Sequence, residues 1–227
     1  MSHHSLPQRL SAEFIGTAVL VATVAGSGIM ATNLTSDVGL QLLGNTIPTG
    51  AILYVLITIF GPISGAHFNP AVSLVFTFKR QLSLYELLPY IIVQVAGGIM
   101  GTIIAHTMFD MNLVELSTKI RTGNALWFSE FVATFGLIIT IFLGLMHSQN
   151  NIPALVAFYI TAAYWFTAST SFANPAVTIA RSLTNSFSGI SPSSVFAFII
   201  AQLIGAIAAM FVVELLMPSN SATDSGA

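Results

Sequence analysis

The sequence contains no cysteine, so disulfides, thiolate metal sites and thiol nucleophiles are excluded. Charge is almost as scarce. Only 6% of the 227 residues are Asp, Glu, Lys or Arg, against about 25% in a soluble domain, and so few charges cannot cover a water-facing surface. The formal net charge of −2 gives no basic excess for nucleic acid. Neither HExxH nor GxSxG is present, and His67, His106 and His147 are widely spaced, which argues against an enzyme, a cofactor or a bound metal. No cleavage pattern of the signal-peptide kind follows MSHHSLPQRL. What the chain has in abundance is apolar surface, with 55% hydrophobic residues and a mean hydropathy of +0.86. The expectation is an all-α integral membrane protein.

A membrane-crossing helix needs about 20 mostly apolar residues. Six stretches qualify, at roughly 10–32, 41–61, 84–108, 125–146, 152–170 and 192–217. Two shorter segments stand between them, from Asn69 to about Phe78 and from Asn174 to about Thr184. Ten residues of helix span only ~15 Å, half of a ~30 Å hydrocarbon core. Two such half-helices end to end make one span. The chain also repeats itself: AEFIGT (12–17) matches SEFVAT (129–134), VQVAGG (93–98) matches AQLIGA (201–206), and NPAV occurs at 69–72 and 174–177. Each half holds three spans, so the second half enters the membrane from the opposite side as an inverted repeat. The repeats are expected at about 9–108 and 125–217, within one channel domain, with a polar connection at 109–124 and a disordered tail at 218–227. Arg9, Lys79 and Arg80 fall on one side and Lys119 and Arg121 on the other. This one-charge margin favours cytoplasmic N- and C-termini.

Asn is a favoured N-cap and Pro is favoured at the first helical position. Asn69-Pro70-Ala71 and Asn174-Pro175-Ala176 therefore read as two helix starts at the midplane. The loops before them, SGAH (64–67) and TSF (170–172), leave backbone carbonyls that only a protein cavity or a wet one can satisfy. Gly65, Ala66, His67, Thr170 and Phe172 are thus candidates for carbonyls lining a pore. Two positive dipole ends and two amide side chains aimed at one point suit neutral hydrogen-bonding molecules and oppose cations. An ion-coupled secondary transporter also uses inverted repeats and broken helices, but it normally places an acid or an oxygen cage at the midplane, where this chain offers amides.

SGAHFNPAV, SFANPAV, the paired AEFIGT/SEFVAT and the paired VQVAGG/AQLIGA together resemble the aquaporin (major intrinsic protein) family over nearly the whole chain. The resemblance implies six transmembrane helices plus two re-entrant half-helices, and a homotetramer in which every protomer holds its own pore. It implies that Glu13 and Glu130 brace the re-entrant loops. It also implies an inner (plasma) membrane channel whose partners are lipid, water and small neutral solutes.

In most members of that family an arginine follows the second NPA. Here Val177 stands there. Counting along the family pattern places the other constriction positions on Thr49, Ala162 and Ser171, a set with no charge and no large side chain. Losing an arginine widens the opening and removes donors. SFANPAVTIAR is similar to a bacterial aquaporin branch associated with arsenic-resistance genes. That likeness implies arsenite and other metalloid hydroxides, glycerol-like solutes, methylated arsenicals as a further candidate, and some water; a water-selective channel is the alternative. Arg181, one helical turn beyond Val177, is a candidate charge in the outer mouth.

Overall fold

The computed structural model describes residues 4–216 and contains only helices and loops among them. The tail expected at 218–227 lies outside the described residues. Helix α1 (Leu6–Leu34) starts after Ser5, whose backbone N–H donates to the Gln8 side chain at 2.8 Å. Helix α2 (Val38–Ser64) starts at Asp37, whose carboxylate accepts from the Leu40 amide at 2.9 Å, and it stops at the left-handed Gly65. The half-helix α3 (Pro70–Phe78) follows, then α4 (Leu84–Met108) and α5 (Asn124–His147). A single 3₁₀ turn, Gln149–Asn151, leads into α6 (Ile152–Phe166), and α7 (Pro175–Arg181) and α8 (Pro192–Leu216) complete the set.

Helices α1, α2, α4, α5 and α8 are each long and apolar enough to cross a membrane. Helix α6 is shorter than its apolar run, ending at Phe166 where the sequence suggested about residue 170. The run changes there from Tyr-Trp-Phe to Thr-Ala-Ser-Thr-Ser, residues whose hydroxyls compete for backbone groups; Thr167 Oγ1 bonds the Ala163 carbonyl at 2.7 Å and the backbone turns extended. Helix α7 likewise ends at Arg181 rather than near Thr184. Ser182 N and Leu183 N reach back three residues, to Ile179 and Ala180, and Ser182 Oγ takes the Ile179 carbonyl as well. That tightened turn closes the helix.

The repeat is visible in packing. Helix α1 lies along α4 and α5 along α8, the two most extensive helix contacts. At the centre of each pair a glycine meets backbone: a Cβ on Gly97 would lie 3.2 Å from Phe14 Cα, and one on Gly205 would lie 3.1 Å from Phe131 Cα. These glycines and phenylalanines are the matched residues of VQVAGG/AQLIGA and AEFIGT/SEFVAT, so close approach on small residues was written into both halves. Where the halves differ, the differences compensate. Gly16 leaves room for the Phe68 ring, whereas the matched pair is Ala133 and Ala173. Both half-helices pack against α4 and α8 and against each other. Many large apolar side chains remain exposed, among them Tyr85, Phe158, Phe196 and Leu215. In water such a surface is a liability; in lipid it is the solvent-facing side.

Candidate functional site

The two NPA segments meet. Asn69 caps α3 by accepting from the Ala71 amide at 2.9 Å, and its Nδ2 donates to the Ala173 carbonyl at 2.7 Å. Asn174 caps α7 by accepting from Ala176 and Val177 amides at 2.9 and 3.2 Å, and its Nδ2 donates to the Phe68 carbonyl at 2.7 Å. The bonding is reciprocal: each asparagine ties its own helix start to the loop before the other. A side-chain amide carries two N–H groups, so one on each asparagine is left over, and both residues line the same cavity. Pro70 and Pro175 take the first helical position, where no amide is needed.

The loops before the two asparagines have unusual backbones. Gly65, Ala66 and Phe68 have φ of 91°, 50° and 49°, and the matched Thr170, Ser171 and Ala173 have 64°, 50° and 47°. Left-handed non-glycine residues cost roughly 1–2 kcal/mol each, so something must hold them. Two buried glutamates do so. Glu13 accepts from Ser64 Oγ (2.7 Å), His67 N (2.9 Å), Phe68 N (2.6 Å) and Gln94 Nε2 (2.9 Å). Glu130 accepts from Phe172 N (2.9 Å), Ala173 N (2.9 Å) and Gln202 Nε2 (2.6 Å). Each glutamine also bonds a hydroxyl on its half-helix, Gln94 to Ser73 and Gln202 to Thr178, both at 2.9 Å. Glu13 and Glu130 therefore share one arrangement, each with two loop backbone N–H groups turned toward its carboxylate.

That cavity holds about 580 Å³ and runs from Gln149 and Asn150 at one end to Arg181 at the other. Its lining includes the apolar Leu20, Val24, Leu53 and Val156 and the loop residues Gly65, Ala66, His67 and Phe172. Thr170 is not among its lining residues. The His67 ring has Nδ1 3.0 Å from Ser73 Oγ and packs against Phe76, which also lines the cavity.

Of the four constriction positions read from the sequence, Thr49, Ser171 and Val177 line the cavity and are buried. Ala162 does not. It is exposed on the outer side of α6, and Ile160 and Tyr164 face the cavity instead. The reason is helical phase: residues four apart share a face, whereas a residue midway between them points away. Tyr164 was missed because counting from a family pattern carries any gap into the register. Its buried hydroxyl lies 3.4 Å from Thr49 Oγ1. Arg181 also reaches the cavity and is 2% exposed. Its Nε donates to the Ser188 carbonyl and its Cζ sits 3.3 Å over the Phe172 ring. Arg181 Nη1 and Ser171 Oγ are buried without a hydrogen-bond partner among the described residues, so this mouth of the cavity holds unspent polar groups. Such an arrangement can replace part of a passing molecule's hydration while offering no carboxylate to a cation.

A family model described as major intrinsic protein matches residues 1–168 and 147–227. The chain is 56% identical over 221 residues to aquaglyceroporin AqpS of Rhizobium meliloti (strain 1021), covering 97% of this chain and 95% of that protein. It is 39% identical over 100 residues to aquaporin Z of Brucella melitensis biotype 1, covering 44% and 43% of the two chains. The X-ray structure of the aquaglyceroporin from Plasmodium falciparum superimposes with a TM-score of 0.72 at 19% identity, covering 93% of this chain and 100% of that one; that likeness speaks for the fold.

Proposed function

The chain belongs to the major intrinsic protein family, and from that premise we propose that it is a passive membrane channel for small uncharged solutes, with arsenite and other metalloid hydroxides and glycerol-like molecules as its main passengers. The observation that carries this reading is the reciprocal bonding of Asn69 and Asn174 across one continuous cavity. A solute entering there exchanges water for the loop carbonyls and slides along apolar side chains. At the junction it meets two amide donors and the positive ends of α3 and α7, which favour oxygen acceptors and disfavour cations.

Substrate breadth follows from the mouth. Val177 puts no guanidinium directly after the second NPA, Arg181 reaches the cavity from one turn farther on, and Thr49, Ser171 and Tyr164 supply hydroxyls there. Trihydroxy solutes match several hydroxyl partners at once, which favours arsenite and glycerol over water alone, and methylated arsenicals stand as a further candidate. The relative AqpS, whose name includes aquaglyceroporin, supports the solute side of this reading. The assembly proposed is a homotetramer in the inner membrane with cytoplasmic termini, each protomer conducting by itself, with no catalytic step and no cofactor.

The test is reconstitution. Liposomes carrying the protein should equilibrate arsenite and glycerol faster than protein-free liposomes, with rates linear in the gradient and insensitive to ionophores. Water flux alone would replace this reading with a water-selective channel, and uptake abolished by an ionophore would replace it with a coupled transporter.

A further inference from the structure

The two halves differ in how one carbonyl is satisfied, and the difference brings a buried cation to the filter. In the first half, the Tyr90 hydroxyl on α4 donates to the Ser64 carbonyl at 3.0 Å, fixing the start of the re-entrant loop. Ser169 is the matched residue of the second half, and Phe198 on α8 stands where Tyr90 stands on α4, four residues before its glutamine. Phe198 has no donor; it packs edge-on against Phe172, with ring centroids 5.3 Å apart. The Ser169 carbonyl instead accepts from Arg121 Nη1 at 3.3 Å. Arg121 comes from the connection between the repeats. Its Nε donates to the Gly189 carbonyl at 2.9 Å, its backbone N–H meets Ser194 Oγ at 3.1 Å, and its Cζ lies 5.1 Å over the Phe172 ring.

Phe172 thus carries two guanidiniums, Arg121 and Arg181, on a residue that lines the cavity. Neither has a carboxylate within ion-pair distance among the described residues, although both feel the more distant Glu130, whose Oε1 accepts from Phe172 N. Burying an unpaired cation is expensive where a neutral hydroxyl would serve the same carbonyl, and the first half does use a hydroxyl. The charge therefore has a use beyond holding the loop. The position after the second NPA, Val177, has none to offer, and a mouth wide enough for a trihydroxy solute excludes cations poorly by size.

We propose that Arg121 is a specificity-determining residue of the channel: with Arg181, and through the Phe172 ring they share, it supplies the positive barrier that keeps cations out of the wide mouth. Arg121 does not line the cavity itself, so it acts as a positioning residue for Phe172 and as a fixed charge behind the wall. This inference rests on the channel reading above.

Urea and guanidinium are matched probes, planar and of nearly equal size, differing in charge. Liposomes with the wild-type protein should pass urea and hold guanidinium near the protein-free background. Arg121→Gln sets an amide N–H where Nε now meets the Gly189 carbonyl, and removes the charge together with the Nη1 donor to the Ser169 carbonyl. It should raise the guanidinium-to-urea flux ratio about tenfold or more, the effect of one unit charge acting across roughly 10 Å of protein. Arg121→Lys, which keeps the charge, should hold the ratio near the wild-type value. Because the ratio is internal to each sample, it reads the same when a variant reaches the membrane in smaller amounts. An unchanged ratio in Arg121→Gln, or equal ratios in the Gln and Lys variants, would overturn the proposal while leaving the channel reading intact. A wild-type protein that passes no urea, glycerol or arsenite would sink the channel reading itself.

Discussion

Glu130→Gln probes the bracing of the second re-entrant loop with the least change in shape. Glu130 Oε1 accepts from Phe172 N, and Oε2 accepts from both Ala173 N and Gln202 Nε2. A glutamine can keep the first bond, but its NH₂ then faces two donors. Hydrogen bonds to a charged group contribute roughly 1.5–3 kcal/mol each, so two lost bonds amount to about 3–6 kcal/mol. Some of this is recoverable. Gln202 Oε1 is buried without a partner, and turning that amide over would present its oxygen to the new NH₂ and regain about 1 kcal/mol. The Ala173 N–H has no such rescue, and Ala173 is one of the residues held at positive φ. The net expectation is a loss of roughly 2–5 kcal/mol, concentrated in the loop whose Ala173 carbonyl holds Asn69. Thermal unfolding of the detergent-solubilised protein reads the stability, and stopped-flow light scattering of liposomes reads glycerol flux. Both should fall together. Wild-type melting and flux in the Glu130→Gln protein would refute the view that these bonds hold the pore wall.

Three further outcomes follow from the geometry. Val177→Arg places a guanidinium at the Thr49–Ser171 opening and should cut glycerol and arsenite flux about tenfold while water flux persists, since a loss of roughly 1.4 kcal/mol of transit free energy is tenfold; solute flux equal to wild type would show the constriction lies elsewhere. Gly205→Ala drives a methyl into the Phe131 backbone and should cost about 1–3 kcal/mol by overpacking, as should Gly97→Ala against Phe14, and an unchanged melting temperature in either would contradict the close packing. Lys119 lies outside the membrane-spanning helices, donating to the Phe187 carbonyl at 3.0 Å. Partial burial of its ammonium on an otherwise exposed residue, with repulsion from Arg121 and Arg181, lowers its pKa to about 8 from the ordinary 10.5. It is charged below that value and neutral above it, so the folded state is relieved of the charge as pH rises from about 8 toward 10.5. Guanidinium exclusion should weaken as pH rises through about 8, and Lys119→Met should remove the step; a ratio flat from about pH 7 to 9.5 in the wild type would show that Lys119 adds nothing to the barrier.

Much of this architecture was legible in the chain because its constraints are one-dimensional. Span length, the Asn-Pro start of a half-helix and the recurrence of Glu-Phe and Gln-x-x-Gly are local patterns with local physical causes. The helix ends at Phe166 and Arg181 were less legible. They depend on hydroxyls competing for backbone carbonyls, which hydropathy does not register. Ala162 was misplaced because a pore position is a matter of helical phase against a neighbour, and an error of two residues turns the side chain outward. Arg121 read as one more loop charge. Its role appears only when the halves are superimposed and Phe198 is seen where a tyrosine hydroxyl stands in the other, a comparison across a connection that has no counterpart in the repeat.

Parallel stopped-flow measurements of glycerol, arsenite and water permeability in liposomes, at matched protein density and with Asn69→Leu/Asn174→Leu as the blocked control, decide whether solutes cross between the two asparagines. Removal of both amides should abolish the cross-ties to Ala173 and Phe68 and with them the facilitated flux. Solute flux should stand well above protein-free liposomes in the wild type and near that background in the double variant. Equal flux through both proteins, or none through the wild type, would contradict a passage built where the two half-helices meet.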